Sequence, residues 1–286
     1  MYRYDVNQRH PVLSFYVLTF AISWGGILVV VGLGGVPSNP AQLTKMIPVM
    51  VLAMLVGPTL SSILLTGMVS GRPGYRDLLN RLSTWRFGTN WYAIALLTAP
   101  LVLMVVPVVL SLRARDFLPR IFTEGNKNSL LLMGFVVGAA AGFFEEMGWT
   151  GFAIPRLRSR FGALSTAAIV GLLWGAWHLP VNVLASFTPS GTISIQSLLG
   201  TLLFSLALLP AYRILMVLVW DHTGSLLLAM LMHATLTAGN IILGATATPG
   251  MMGIAFNLAL ATAMWIVVGV TAVAGREHRS VHSLTR

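Results

Sequence analysis

The sequence predicts an all-α polytopic membrane protein with about eight transmembrane helices and with both termini in the cytoplasm. Its 286 residues are 56% hydrophobic and only 9% charged, whereas a soluble globular domain has about 25% charged residues. The apolar residues are collected in long runs, each close to the roughly 20 residues that a helix needs to cross the hydrocarbon core. Most of the arginines fall between those runs, where basic residues mark cytoplasmic segments.

The apolar runs define one membrane domain over residues 1–286, without a soluble domain or a low-complexity tract. Arg3 and Arg9 precede the first run, which is longer than the apolar part of a cleavable signal and lacks a small-residue cleavage site. The predicted spans are 12–35, 43–69, 90–112, 130–153, 163–185, 196–219, 223–244 and 251–274.

The basic residues predict the orientation of these spans. Arginines near both termini and in the segments 70–86 and 156–160 fall on the side that is predicted to be cytoplasmic. Arg213 is expected to extend its side chain toward the cytoplasmic end of the sixth span. One loop disagrees, because residues 113–127 are assigned outside and carry three arginines and a lysine. The arrangement still fits better than its inverse and indicates a multi-pass protein of the cell membrane, in bacteria the inner membrane.

Composition also excludes several function classes. The net charge of +10 does not indicate a nucleic-acid partner, because the arginines lie between apolar runs and form no patch interleaved with aromatic residues. The absence of cysteine excludes disulfides, thiolate metal sites and a cysteine nucleophile.

Two carboxylates and two imidazoles fall inside the apolar runs. Among the eight acidic residues, only Glu145 and Glu146 lie within a run, where a charge at a helix centre costs at least about 2.5–3.5 kcal/mol. His178 lies in the fifth predicted span and His233 in the seventh. Ionisable residues within a membrane are by default functional candidates.

Helical spacing adds further polar groups to each histidine. Residues at intervals of three, four and seven share one helix face, and three predicted spans therefore each carry a polar face that hydrocarbon would reject. Burying those faces against one another predicts one shared polar pocket. The two histidine faces consist of Trp174, His178 and Asn182, and of His233, Thr237 and Asn240.

Such a pocket is suited to hydrolysis of an amide bond. A carboxylate beside an imidazole can hold and deprotonate a water molecule, and His233, Thr237, Asn240 or Asn182 can donate hydrogen bonds to a developing oxyanion. The same groups permit a second interpretation, in which Glu145, His178 and His233 bind Zn²⁺ with an open position for water.

Three motifs resemble those of the CAAX prenyl endopeptidase and bacteriocin-processing (CPBP, or Abi) family of intramembrane proteases. Glu145–Leu157 resembles the first motif, in which two glutamates are followed after three residues by an arginine. Trp174–His178 resembles the second, with an aromatic residue four before a histidine, and His233–Thr237 the third, with a histidine four before an asparagine. The resemblance covers residues 140–240, with the motifs in the family's order.

The resemblance implies an eight-helix membrane protease in which Glu145 and His178 activate water, with His233 in the same pocket. It leaves a zinc metalloprotease and a metal-independent glutamate protease both open. Two positions depart from the pattern: Thr150 stands where arginine is usual, so Glu146 lacks its charge partner, and Thr237 stands where asparagine is usual. Asn240 or Asn182 is then the alternative oxyanion donor.

We therefore expect an intramembrane endopeptidase whose partners are membrane lipid and a membrane-associated peptide or protein, entering from the bilayer or the cytoplasmic side. Glu145 would be the general base and Glu146 would orient or complete the site. One alternative is a transporter that uses the same residues as a proton relay. The other is a non-catalytic immunity or binding protein of the same family, which the two threonine departures favour.

Overall fold

A computed structural model describes residues 10–34, 40–188, 190–245 and 250–284 of the chain. The predicted all-α fold is confirmed over these residues, whose only β-type pairings are two isolated bridges. Among the described residues, seven helices are long and apolar enough to cross a membrane, or eight if one bent pair counts as a single span. The orientation of the termini remains a prediction.

The described residues form twelve α-helices and three short segments of other helix types. Short 3₁₀ and π segments occur at Arg115–Phe117, Trp149–Ala153 and Phe204–Leu208. The α-helices are α1 (Pro11–Gly34), α2 (Pro40–Ser83), α3 (Thr89–Ser111), α4 (Arg120–Thr123), α5 (Lys127–Gly148), α6 (Ile154–Arg158), α7 (Ala163–Trp177), α8 (Leu179–Ala185), α9 (Ile195–Leu203), α10 (Leu209–Thr223), α11 (Leu226–Leu243) and α12 (Met251–Leu284).

Several spans are longer or more irregular than the hydropathy predicts. The fourth span continues through a π turn to Arg158, and the sixth runs from Ile195 through a second π turn to Thr223. The fifth span is bent by 40° between α7 and α8. Pro180 explains this bend, because it has no N–H to continue the helical hydrogen bonds, and His178 lies at the junction.

Small residues bring α5 and α11 close together. Gly134, Gly138 and Gly142 recur every fourth residue along α5, and this stripe faces α11. A Cβ atom at Gly138 would lie 2.6 Å from the carbonyl oxygen of Ala234. Glycine stripes of this kind allow membrane helices to approach closely. The close approach sets the glutamates at the end of α5 beside the histidine of α11.

A tight turn places α10 antiparallel to α11. Gly224 ends α10 in the left-handed conformation at φ 61°, which glycine adopts without a steric penalty. The hydroxyl of Ser225 accepts a hydrogen bond from the backbone N–H of Leu228 and thereby caps α11. Further along, the Tyr212 hydroxyl donates to the carbonyl oxygen of Met232 at 2.8 Å. The turn therefore brings Arg213 to the level of His233.

Candidate active site

One carboxylate oxygen of Glu145 faces the interior of the bundle, and the other is held by hydrogen bonds. Its Oε2 accepts hydrogen bonds from the indole nitrogens of Trp174 at 2.8 Å and Trp149 at 3.3 Å. Its Oε1 lies 3.8 Å from Nε2 of His233, which is too far for a direct hydrogen bond. Two indole N–H groups thus fix the carboxylate and leave Oε1 available for chemistry.

Glu146 has a different environment, although it is the next residue. Successive helical residues point about 100° apart, and Glu146 is directed toward α10 and α11, where its side chain is fully buried. Oε1 accepts hydrogen bonds from Nη2 of Arg213 at 2.9 Å and from Nδ1 of His233 at 2.7 Å. Oε2 accepts hydrogen bonds from Nη1 of Arg213 at 2.8 Å and from the hydroxyl of Thr150. Four donors therefore occupy the roughly four acceptor sites of the carboxylate.

This saturation makes Nδ1 of His233 a hydrogen-bond donor. Glu146 pairs with a guanidinium and is an acceptor, so the proton in the 2.7 Å contact belongs to Nδ1 of His233. The other ring nitrogen, Nε2, faces Glu145. The ring also packs against Trp174, with the ring centroids 4.9 Å apart.

Nδ1 of His178 is also a donor, for a different reason. Its Nδ1 lies 2.9 Å from the carbonyl oxygen of Trp174, and a carbonyl oxygen only accepts, so Nδ1 carries the proton. The ring packs edge-on against Trp177. The break before Pro180 positions this ring, since His178 ends one helical piece and precedes the next.

A cavity of about 520 Å³ connects most of the predicted site residues. Glu146 is not part of its wall and lies behind it, so the expectation that both carboxylates share the pocket is wrong for Glu146. The cavity extends to Arg120 and Gly244, at the end of the bundle that carries residues 112–126. The predicted site residues on its wall are Glu145, His178, Asn182, His233, Thr237 and Asn240.

Three of the four predicted oxyanion donors, Asn182, Thr237 and Asn240, lie at different depths in this cavity. Asn182 is buried and uses one amide hydrogen to bond the hydroxyl of Ser205 at 2.8 Å, which leaves its second N–H. Thr237 is half-buried and Asn240 is exposed. At 1.5 Å per residue they lie about 6 Å and about 10 Å beyond His233 along α11. Thr237 is therefore nearer to His233 along α11 than Asn240 is, and Asn182 lies one helical turn from His178.

Arg213 does not extend toward the cytoplasmic end of its span, so that prediction is wrong. Its side chain is fully buried, forms the two bonds to Glu146, and lies 4.3 Å from the ring centre of Trp174. The missing charge partner of Glu146 is thus supplied from α10. The sequence contains a signal for this contact, because an arginine inside an apolar run is itself a functional candidate.

The zinc interpretation requires Glu145, His178 and His233 around one ion, at about 2.0–2.2 Å each. Within the described parts of the chain, no three His, Cys, Asp or Glu side chains are arranged so that they could hold a metal ion. Glu145, His178 and His233 do not form such a group in this arrangement, and the choice between zinc and a metal-free mechanism stays a prediction.

Comparisons with known proteins agree with the motifs. Residues 127–239 match the family described as type II CAAX prenyl endopeptidase Rce1-like. The predicted family resemblance is thereby confirmed. The chain is also 24% identical over 265 residues to the CAAX prenyl protease 2 of Methanococcus maripaludis, an alignment that covers 85% of this chain and 87% of that protein.

The segment that matches the CAAX prenyl endopeptidase family includes all three motifs, from Glu145 to Thr237. Together with the apolar helices, the match supports a multi-pass membrane protein with protease activity of the CAAX type. It does not support the metalloprotease assignment.

Proposed function

We propose that the protein is a CAAX-type intramembrane endopeptidase in which Glu145 activates a water molecule without a metal ion. The observation that carries the proposal is a cavity whose wall includes Glu145, His178 and His233, with Oε1 of Glu145 3.8 Å from Nε2 of His233. One oxygen of this carboxylate is held by two indole N–H groups, and the other is left for the reaction.

In the proposed reaction, a water molecule donates one hydrogen bond to Oε1 of Glu145 and the other to Nε2 of His178. Glu145 removes a proton as the water oxygen attacks the carbonyl carbon of the substrate. The carboxylic acid then gives this proton to the leaving nitrogen, the C–N bond breaks, and the carboxylate is regenerated. His233, held by Glu146, orients the groups around Oε1.

The developing oxyanion requires donors, and the free N–H of Asn182 and the hydroxyl of Thr237 are the nearest candidates. Preorganised donors in a site that excludes water are often the largest single contribution to catalysis. The substrate is a membrane-associated peptide or protein that enters the cavity from the end near Arg120.

The test uses purified protein in lipid nanodiscs and a fluorogenic peptide that ends in a prenylated CAAX sequence. Wild type should cleave it, whereas Glu145→Gln and His178→Ala should lose activity by about 10²–10⁴-fold. Asp116→Asn, which changes an exposed carboxylate outside the cavity, is the matched control. Full activity of Glu145→Gln would disprove the proposed general base.

A chelator tests the mechanism separately. Activity that survives prolonged chelation supports hydrolysis by Glu145 alone, and activity that is lost and then restored by Zn²⁺ would contradict it.

The alternative of a non-catalytic family member loses one of its two supports, because Arg213 supplies the charge that Thr150 does not. The transporter alternative is not favoured by any geometry in the described helices. Transporter sites are typically formed by two broken helices in corresponding positions of two repeats. The helices described here include one such bent pair, α7 and α8, without a counterpart.

A further inference from the structure

Thr150 and Arg213 lie beside the same carboxylate. The Thr150 hydroxyl donates to Oε2 of Glu146, and its oxygen is 3.5 Å from Nη1 of Arg213. Residues four apart are neighbours on a helix face, so a long side chain at position 150 would reach Glu146 from within the same helix. The first motif usually has an arginine at that position, whereas this chain reaches Glu146 with an arginine from α10.

The geometry points to a transposed arginine: Arg213 is a positioning residue that performs, from another helix, the task of the arginine usual at position 150. The inference rests on the proposed peptidase function and concerns how its reactive groups are held. It also predicts that the two locations of the arginine are interchangeable.

Two sets of contacts connect Arg213 to the reactive groups. Through Glu146, it keeps an acceptor opposite Nδ1 of His233, which leaves Nε2 of that ring directed at Glu145. Its guanidinium also packs on the face of Trp174, whose indole nitrogen holds Oε2 of Glu145. Removing Arg213 therefore disturbs both the imidazole and the general base, although the guanidinium is not on the cavity wall.

Stability alone does not account for this arginine. Its Nε is buried and has no hydrogen-bond partner within the described residues, and an unsatisfied buried donor is destabilising. Replacing a buried ion pair with well-packed apolar residues is often neutral or stabilising. An ionic contact with an unsatisfied donor is more readily explained by the need for one fixed geometry at His233 and Trp174.

The test is an exchange of the two side chains, which conserves composition and approximate volume. Arg213→Thr should lower kcat for the prenylated peptide by about 100-fold, as expected for the loss of a group that holds catalytic side chains. Thr150→Arg alone should also be impaired, because it adds a second cation and extra volume to a filled site. The double variant Thr150→Arg/Arg213→Thr should recover to within about tenfold of wild type, a strongly non-additive result.

Arg213→Lys keeps the charge but not the two-pronged geometry. It should lower kcat by about tenfold with little change in KM, and it decides the matter if the exchanged protein does not fold. Unfolding temperatures of all variants in detergent separate loss of fold from loss of positioning.

The inference is overturned if the folded exchange variant is no more active than the worse single variant, or if folded Arg213→Lys or Arg213→Thr keeps the wild-type kcat. A wild-type protein that cleaves no peptide would instead contradict the proposed function.

Discussion

The two adjacent glutamates should respond in opposite ways to the same isosteric change. In Glu146→Gln, the neutral amide loses the ion pair with Arg213, and its NH₂ group is placed against the N–H donors of Arg213 and His233. Breaking a buried ion pair by changing one partner costs about 3–5 kcal/mol, and we expect a loss of unfolding free energy of that size. In Glu145→Gln, the amide oxygen can still accept from the two indole N–H groups, so the unfolding free energy should change by less than about 1 kcal/mol.

Unfolding by SDS titration and cleavage of the prenylated peptide should be measured on the same preparations. Glu145→Gln should be folded and inactive, and Glu146→Gln should be clearly destabilised. The division of roles between the two carboxylates would be refuted by a Glu146→Gln protein as stable as wild type, or by a Glu145→Gln protein that unfolds while Glu146→Gln does not.

Three further predictions concern packing, oxyanion stabilisation and topology. Gly138→Leu should separate α5 from α11 and abolish both stability in SDS and cleavage of the peptide. The control Gly25→Ala should be tolerated, because no atom lies within 4 Å of the new Cβ. A stable Gly138→Leu protein would contradict the close packing of the two helices. Asn182→Ala should lower kcat by about 10²–10³-fold if its amide binds the oxyanion, and an effect confined to KM would assign it to substrate binding. Because the chain has no cysteine, the single variants Arg160→Cys and Arg115→Cys can be labelled with an impermeant maleimide. The predicted orientation requires Arg160→Cys to react from the cytoplasm and Arg115→Cys to react from outside. The reverse labelling pattern would show that the topology is inverted.

The fold could be predicted because the bilayer imposes simple constraints. A helix must be long and apolar enough to span the hydrocarbon core, and eight such runs are visible in the sequence. The bend at His178 was less accessible. Pro180 marks it in the sequence, but the effect of a proline in a membrane helix depends on how neighbouring groups satisfy the freed backbone.

The candidate site could be predicted in part for a similar reason. Glu145, His178 and His233 stand out because hydrocarbon penalises their presence, and burying them together is the simplest solution. The partners of each group depend on the rotation and separation of helices. Arg213 is 67 residues from Glu146, and the sequence alone could not show that it turns inward to meet that carboxylate.

The direction of the cavity bears on where a substrate approaches. The cavity reaches the end of the bundle that carries Arg120, which belongs to the one basic loop that disagrees with the predicted orientation. If the orientation holds, the cavity opens on the outer side, and the predicted cytoplasmic entry is wrong for this route. If it is inverted, the same loop lies in the cytoplasm and entry from that side follows. The two cysteine variants therefore decide the topology and the side of substrate entry together, since both depend on which end of the bundle carries residues 112–126.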